Sequence, residues 1–388
     1  MASLASELAL TREETDYIAA VTAFGKTSVA PFAAKWERER RQPLETMRAA
    51  ARMGLTRYQA PKEQGGFGFS FSAKAAILEA LARFHMPFSF CITNTHNAAA
   101  KLAREGRPEH LARYLEPLYS GELIGCTALS EPGAGSDFAA ITTRAEKIAG
   151  GWRLDGEKGW IANAANAGLI FTYAQTDTAK GWRGIACFLV DASRPGFERR
   201  PPYQLAGGHV IGAGGFRLSD YRAEDIDLIS PPGEAFKAAL GSINGARTYV
   251  AAMCCGMLAE ALRLALAYGR QRHTFGKPLL EHQGLRWKLA DAATDLEAAR
   301  ALTARAARAI DAGADAILPA AMAKKFAGEM ILNRLGDCMQ AMGANGLREE
   351  YGIGLHLAAA RICNYVDGST EVQNERIGAL MEQAFGRE

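Results

Sequence analysis

The stretch "EHQGLRWKLADAATDLEAARALTARAARAI", residues 281 to 310, constrains the fold most. Leu285, Leu289, Ala292, Leu296 and Ala299 step by three or four, which gathers them on one face of an amphipathic helix. An apolar stripe of this kind needs a second helix to cover it. Its alanines let the neighbouring helix approach closely, so an antiparallel bundle is the economical packing.

Helical signals also dominate the first 118 residues. Thr11, followed three positions later by Glu14, predicts a capping box ahead of "ETDYIAAVTAF", and Ala- and Leu-rich segments continue as far as "LARYLEPLYSG". The pattern changes near Gly121. From there to about 230 the chain carries short strand-like runs, "WRLDGEKGWIAN", "LIFTYAQT", "IACFLVDA" and "GFRLSD", divided by Gly, Pro, Asn and Asp. After Pro231-Pro232 it returns to helix. The expected class is therefore α+β, with an N-terminal helical domain over 1–118, a central β domain over 119–230 and a C-terminal helical bundle over 231–388.

Bulk properties exclude several functions. The chain has 388 residues, 48% hydrophobic and 22% charged, with no uninterrupted apolar run near the roughly 20 residues a membrane span needs. No membrane insertion is expected. A net charge of +3 and short basic clusters, Arg38/Arg40/Arg41 and Arg199/Arg200, read as solvated surface, so no nucleic-acid partner is expected. The seven cysteines include no C-x-x-C pair and are expected reduced, which together with the absence of a secretory pattern at the N-terminus suits a cytoplasmic location. Histidines fall in no H-E-x-x-H, so no metal site is expected. "EPGAGSD" has no preceding Rossmann strand, "FGKPL" lacks the upstream glycine of a P-loop, and no serine sits in G-x-S-x-G.

Two features remain open on local grounds. The Gly-rich turn at 131 to 137 can converge backbone N–H groups on an anion or a polar ring edge, and Trp160 in "GEKGWIAN" could lie against a flat cofactor. Taken alone, each is better explained structurally, 131 to 137 as an ordinary hairpin loop and Trp160 as a core residue. Near the C-terminus, Asp367 precedes a Gly-Ser-Thr turn that opens the last helix. Locally this reads as an acid facing the helix dipole beside a Thr370…Gln373 capping box.

Together the motifs carry a resemblance. "CTALSEPGAGSD", "LDGEKGWIAN", "YGRQRHTFGKPLLEHQGLRWKLAD", "QAMGANG" and "DGSTEVQNERIG" occur in the order and spacing of the acyl-CoA dehydrogenase flavoproteins, and span nearly the whole chain. The resemblance implies FAD as cofactor, an acyl-CoA or acyl-carrier-protein thioester as substrate and an electron-transfer flavoprotein as acceptor. It also implies a homo-oligomer, a tetramer built as a dimer of dimers. Flavin contacts then fall on Leu129, Ser130, Trp160 and Ala162, with Ser369 and Glu371 also on the cofactor side. Arg272, Thr274 and Phe275 would reach the FAD of a neighbouring subunit, and His282, Gln283, Gln340 and Ala344 would complete its adenosine and diphosphate contacts. Ser136, Asn244, Arg247 and Gly368 would border the substrate.

The same resemblance makes Asp367 the base that removes the α proton while the β hydrogen leaves as hydride. Such a base must be desolvated to raise its pKa, and the incipient enolate needs hydrogen bonds at the thioester carbonyl. Most of the family has glutamate here. A second branch places the base before Arg247, but that residue is Ala246. Aspartate sets the carboxylate about 1.5 Å further back, and a misplacement of about 1 Å can cost on the order of a hundredfold in rate. A short, branched or alicyclic acyl group presented closer to the base would meet it. Other departures are Ala162 where a hydroxyl is common, Ala344 where glycine is common, and the Gly-rich "LAGGHVIGAGGFRLSD", which suggests a rebuilt cavity wall.

Alternative expectations are a nitroalkane-oxidase-like flavin oxidase, which also uses an aspartate, and an enoyl-CoA reductase or acyl-carrier-protein dehydrogenase. The family's DNA-binding members carry a basic C-terminal extension, whereas the residues after Ser369 here include the acids Glu382 and Glu388.

Overall fold

The computed structural model describes residues 3–386; Glu388 lies outside them. Six helices precede the sheet: α1 (Arg12–Phe24), α2 (Ala33–Glu39), α3 (Leu44–Arg52), α4 (Phe71–Glu105), α5 (Pro108–His110) and α6 (Glu116–Ser120). The capping box of α1 is formed: Thr11 N donates to Glu14 Oε2 at 2.8 Å, and Glu14 N to Thr11 Oγ1 at 3.2 Å. Inside α4, His85 leaves helical geometry two residues before Pro87, whose ring cannot follow a helical turn.

The middle of the chain forms an eight-stranded sheet. Its strands are β1 (Gly125–Ala128), β2 (Arg144–Ile148), β3 (Gly151–Ile161), β4 (Leu169–Gln175), β5 (Ile185–Asp191), β6 (Phe197–Arg199), β7 (Gly214–Glu224) and β8 (Leu228–Ser230). They run in the order β6-β7-β3-β2-β4-β5-β8, with β1 parallel to β4. Every residue of β4 and β5 is buried, because both faces of the sheet are covered there. β1 and β2 carry no marked alternation, so the sequence showed neither. The 131–137 loop joins them and is not a hairpin connection, since β1 pairs with β4.

The chain then becomes helical again, with α7 (Ala235–Gln271), a small hairpin β9 (His273–Thr274) and β10 (Lys277–Pro278), α8 (Gln283–Asp311), α9 (Ile317–Met342), α10 (Ile353–Cys363) and α11 (Thr370–Phe385). Helix α7 packs on α4, α8 and α9, and α9 packs on α8 and α11. Leu289, Ala292, Leu296 and Ala299 are buried as the stripe on α8 requires, while Leu285 is half-buried at its start. A fully buried leucine contributes about 2 kcal/mol. Helices α4 and α7 are, by length and composition, apolar enough to cross a membrane, although neither holds an uninterrupted apolar run of that length. Their apolar windows are 89% and 67% buried within the protein, which accounts for that composition. All seven cysteines are free and buried.

The Gly-rich segment before β7 has a packing explanation. A Cβ on Gly208 would lie 2.4 Å from Ile362 Cδ1, and one on Gly207 2.5 Å from Ala358 Cβ, both on α10. These glycines let the loop approach that helix, and Glu37 of α2 accepts from the His209 N–H at 2.9 Å beside them.

Candidate functional site

Asp367 and Gly368 take left-handed backbone, φ 56° and 93°, and turn the chain from α10 into α11. The helix is capped by Ser369, whose hydroxyl accepts from Val372 N at 3.4 Å, one residue earlier than the expected Thr370 box. Gln373 does not complete that box; its amide turns back and donates to Gly368 O at 2.9 Å. Two buried cations hold the same turn by its backbone. Arg247 Nε donates to Asp367 O at 3.2 Å, and Lys324 Nζ to Gly368 O at 2.6 Å. Asn244 Oδ1 accepts from Arg247 Nη1 at 3.0 Å, one turn earlier on α7.

Among the described residues the Asp367 carboxyl has no partner: Oδ2 is out of solvent contact with no hydrogen bond. Burial pushes its pKa up to about 6, against the pull of the Lys324 and Arg247 charges. Burial likewise lowers Lys324, and brings Arg247 down to about 10. Sequence reasoning missed Lys324. The available signal was a lysine in step with Ala320, Ala327 and Ile331 on the apolar face of α9, all buried.

A second group gathers at the C-terminal ends of β1 and β3. Leu129 O accepts from Lys158 Nζ at 3.1 Å, and Ser130 O from Gly159 N at 3.2 Å. Lys158 also pairs with Glu131 at 2.9 Å, while Glu131 accepts from Thr142 N and Oγ1 and from Thr143 N at 2.7 to 2.9 Å. Burial alone would raise Glu131, but Lys158 and these donors outweigh it and hold the carboxyl at about 2. The loop is thus clamped at its root, while Ser136 is exposed at its far end and Gly133 and Gly135 face open space. Trp160 stands 63% exposed beside it, its ring 4.4 Å from that of Tyr203. Ala162 is half-buried and packs against the core.

A third group lies at the end of α7. Arg272 and Gln283 are exposed, and Phe275, at the tip of the β9–β10 hairpin, is 96% exposed. His282 Nε2 lies 3.0 Å from Thr274 Oγ1 and 3.2 Å from Thr274 O, tying the hairpin to the start of α8. Gln340 and Ala344 are exposed at the end of α9. That turn joins the α7 end through Asn345 Nδ2, which donates to Tyr268 OH at 2.8 Å. Glu371 is exposed on the first turn of α11, its carboxyl lowered by the Ser369 hydroxyl. Among the described residues, no hydrogen bond joins the third group to the Asp367 turn.

Non-glycine residues in left-handed backbone are uncommon, and a bulky one is an outlier. Six occur among the described residues, and three of them are Trp160, Phe275 and Asp367, one from each group. Backbone strain of this kind concentrates where a fold presents side chains to ligands.

Sequence models described as the N-terminal, middle and C-terminal domains of acyl-CoA dehydrogenase match residues 11–122, 126–221 and 233–381. The short/branched chain specific acyl-CoA dehydrogenase, mitochondrial, of Rattus norvegicus is 30% identical over 367 residues, covering 94% of this chain and 85% of that protein. The short-chain specific enzyme of Bos taurus is 32% identical over 352 residues, covering 90% and 85%. Among solved structures, butyryl-CoA dehydrogenase from Megasphaera elsdenii superposes with a TM-score of 0.92 at 28% identity, covering 96% of this chain and 99% of its own. The chain therefore belongs to the acyl-CoA dehydrogenase family.

Proposed function

We propose that this chain is an FAD-dependent dehydrogenase of a short, branched or alicyclic acyl thioester, with Asp367 as the acceptor of the α proton. Members of the family are FAD-dependent oxidoreductases that act on a CH–CH bond. The observation that carries the assignment of the base is the buried, unpartnered Oδ2 of Asp367, held by donors that grip the turn's carbonyls instead of the carboxyl. A carboxylate paired directly with Arg247 would be stabilised as the anion and weakened as a base.

The residues present fit the cofactor. The exposed face of Trp160 offers an apolar plane beside the clamped loop, and the exposed Arg272 and Phe275 leave a guanidinium and a ring available to a diphosphate or a second subunit. When bound, FAD supplies the two-electron acceptor for the β hydrogen. Asp367 takes the α proton on its carboxylate, and the electron pair of the broken Cα–H bond becomes the new Cα=Cβ bond. Arg247 and Lys324 keep the turn in place while the carboxyl changes charge. Near neutral pH most of Asp367 is ionised, and its product acid is not far uphill.

The short reach of aspartate supports a compact acyl group, as does similarity to a relative named for short and branched chains. An electron-transfer flavoprotein as acceptor and a dimer-of-dimers tetramer complete the reading. The free, buried cysteines suit a reducing, cytoplasmic setting. Anaerobic titration of the flavin-loaded protein with linear, branched and alicyclic acyl-CoAs tests the whole reading by bleaching of the oxidised flavin. If none of the three classes reduces it, the dehydrogenase assignment fails.

A further inference from the structure

A cavity of about 560 Å³ lies where the N-terminal turn Leu4–Glu7, α1, the first half of α4, α7 and α8 meet. No residue placed above on the flavin or the thioester side is among its described lining. Its apolar lining comes mostly from short side chains: Ala76 and Ala80 of α4, Ala259, Leu266 and Ala267 of α7, and Ile18 of α1. Protein interiors are close-packed, and small residues where several helices meet leave room that larger ones would fill. A volume of this size is that of a small-molecule site.

The charged lining is unbalanced. Four guanidiniums, those of Arg83, Arg263, Arg270 and Arg300, line the cavity together with one carboxylate, Glu79. Arg300 is matched, since Nε donates to Glu79 Oε1 and Nη1 to Glu297 Oε1, each at 2.7 Å. A single carboxylate, Glu260, has to serve both Arg83, at 3.1 Å, and Arg263, at 2.9 Å. Arg270 is exposed, and no carboxylate among the described residues lies within ion-pair distance of it. The four guanidiniums thus have three carboxylates between them, which leaves one positive charge uncompensated. Arg83 also keeps a donor in reserve, because its Nε is out of solvent contact and has no hydrogen-bond partner among the described residues. Arg263 and Arg270 flank Leu266 and Ala267 at steps of three and four, so α7 offers cations and an apolar strip on one face.

We propose that this cavity is a binding site for an amphipathic monoanion, a carboxylate on an aliphatic chain, with its head among Arg83, Arg263 and Arg270 and its chain along the alanines of α4 and α7. A single carboxylate matches the one surplus charge, a phosphate dianion exceeds it, and an ammonium head is repelled. The planar fork of a guanidinium takes both oxygens of a carboxylate. The chain gains by leaving water for the alanines and Leu266. A molecule seated there touches α1 and α4 as well as α7, so its binding ties the N-terminal helices to the bundle and stabilises the fold by mass action. The site goes beyond the reaction at Asp367 and does not depend on it.

Octanoate is the probe, titrated by calorimetry into the flavin-loaded protein, with octylamine and inorganic phosphate as controls for the head group. Saturable octanoate binding is expected, at least about tenfold tighter than that of phosphate, with none for octylamine. The melting temperature should rise with octanoate concentration. Arg270→Met is expected to weaken octanoate about tenfold by removing a charged partner, and Ala267→Phe, which fills the cavity from α7, to abolish its binding. Arg270 is exposed and has no ion pair to lose, so its replacement probes the site without disturbing the core; flavin content and the melting temperature without ligand report folding of both variants. Octanoate held at the acyl site instead would bind both variants as it binds the native protein. Native affinity in either folded variant therefore overturns the proposal, as does phosphate binding equal to that of octanoate or the absence of saturable binding. Reduction of the flavin by acyl-CoAs would stand through any of these failures, so the function proposed above is judged separately.

Discussion

Arg247 holds Asp367 by its main-chain carbonyl, 3.2 Å from Nε, and among the described residues the carboxyl has no hydrogen bond at Oδ2. The guanidinium therefore fixes where the turn sits while acting on the acid only through space. This arrangement separates the position of the carboxyl from its proton affinity, and the two can be perturbed independently.

Asp367→Asn removes the proton acceptor and keeps the shape. Flavin reduction by the best acyl-CoA should slow by about a thousandfold, within the range for loss of a general base, with FAD content unchanged. Stopped-flow reduction measures this, and retention of the native rate would remove Asp367 from the chemistry.

The rate of reduction should rise with pH through about 6, where Asp367 ionises. Lys324 lowers that value by its charge, so Lys324→Met should move the ascending limb to higher pH, and Lys324→Arg should move it back. A Lys324→Met limb in the native position would show that Lys324 has no electrostatic hold on the base.

Folding should sense the same group. Asp367 is raised above its unfolded value of about 4, so the protonated form is the one the fold favours. Its contribution to stability is complete below about pH 4 and is lost as pH rises through about 6. Asp367→Asn should therefore stabilise the protein at pH 7 and not at pH 4. Chemical denaturation at the two pH values decides the sign.

Glu131→Gln should destabilise the protein by about 3 kcal/mol, because it leaves Lys158 buried without its partner. Replacing both, Glu131→Leu with Lys158→Met, should recover part of that loss. Denaturant midpoints read both effects. A single variant as stable as the native chain would mean that the pair does not clamp the loop.

Phe275 and Trp287 are exposed hydrophobic residues near the α7–α8 junction, at 96% and 61%. If a second copy covers this region, Phe275→Ser should shift the protein to smaller species in sedimentation and lower its FAD content together. A change in neither would place the ring outside any subunit contact.

Much of this was legible in advance, for local reasons. The stripe on α8, the capping box at Thr11 and the four strand-like runs each depend on residues within a few positions of one another, and each formed. Asp367 could be located because a turn and a helix start mark it. What was not legible depends on distant partners. Lys324 and Lys74 are single lysines within apolar helices, and nothing nearby says that one meets a carbonyl 44 residues on while the other meets an amide 23 residues on. The Ser369 cap replaced the Thr370 box because Gln373 found Gly368 O, a contact that Arg247 and Lys324 help create by fixing the turn.

The left-handed backbone at Asp367 also bears on how this position can drift. Glycine, asparagine and aspartate adopt that conformation at least cost, and of the three only aspartate can accept a proton near neutral pH. A turn selected for folding alone would accept the two inert residues as readily, and one nucleotide converts an aspartate codon to an asparagine codon. With Asp367 as the proposed base, descendants of this chain would lose the reaction while keeping the fold, and a well-folded relative with Asn at 367 would be a binding protein shaped like an enzyme.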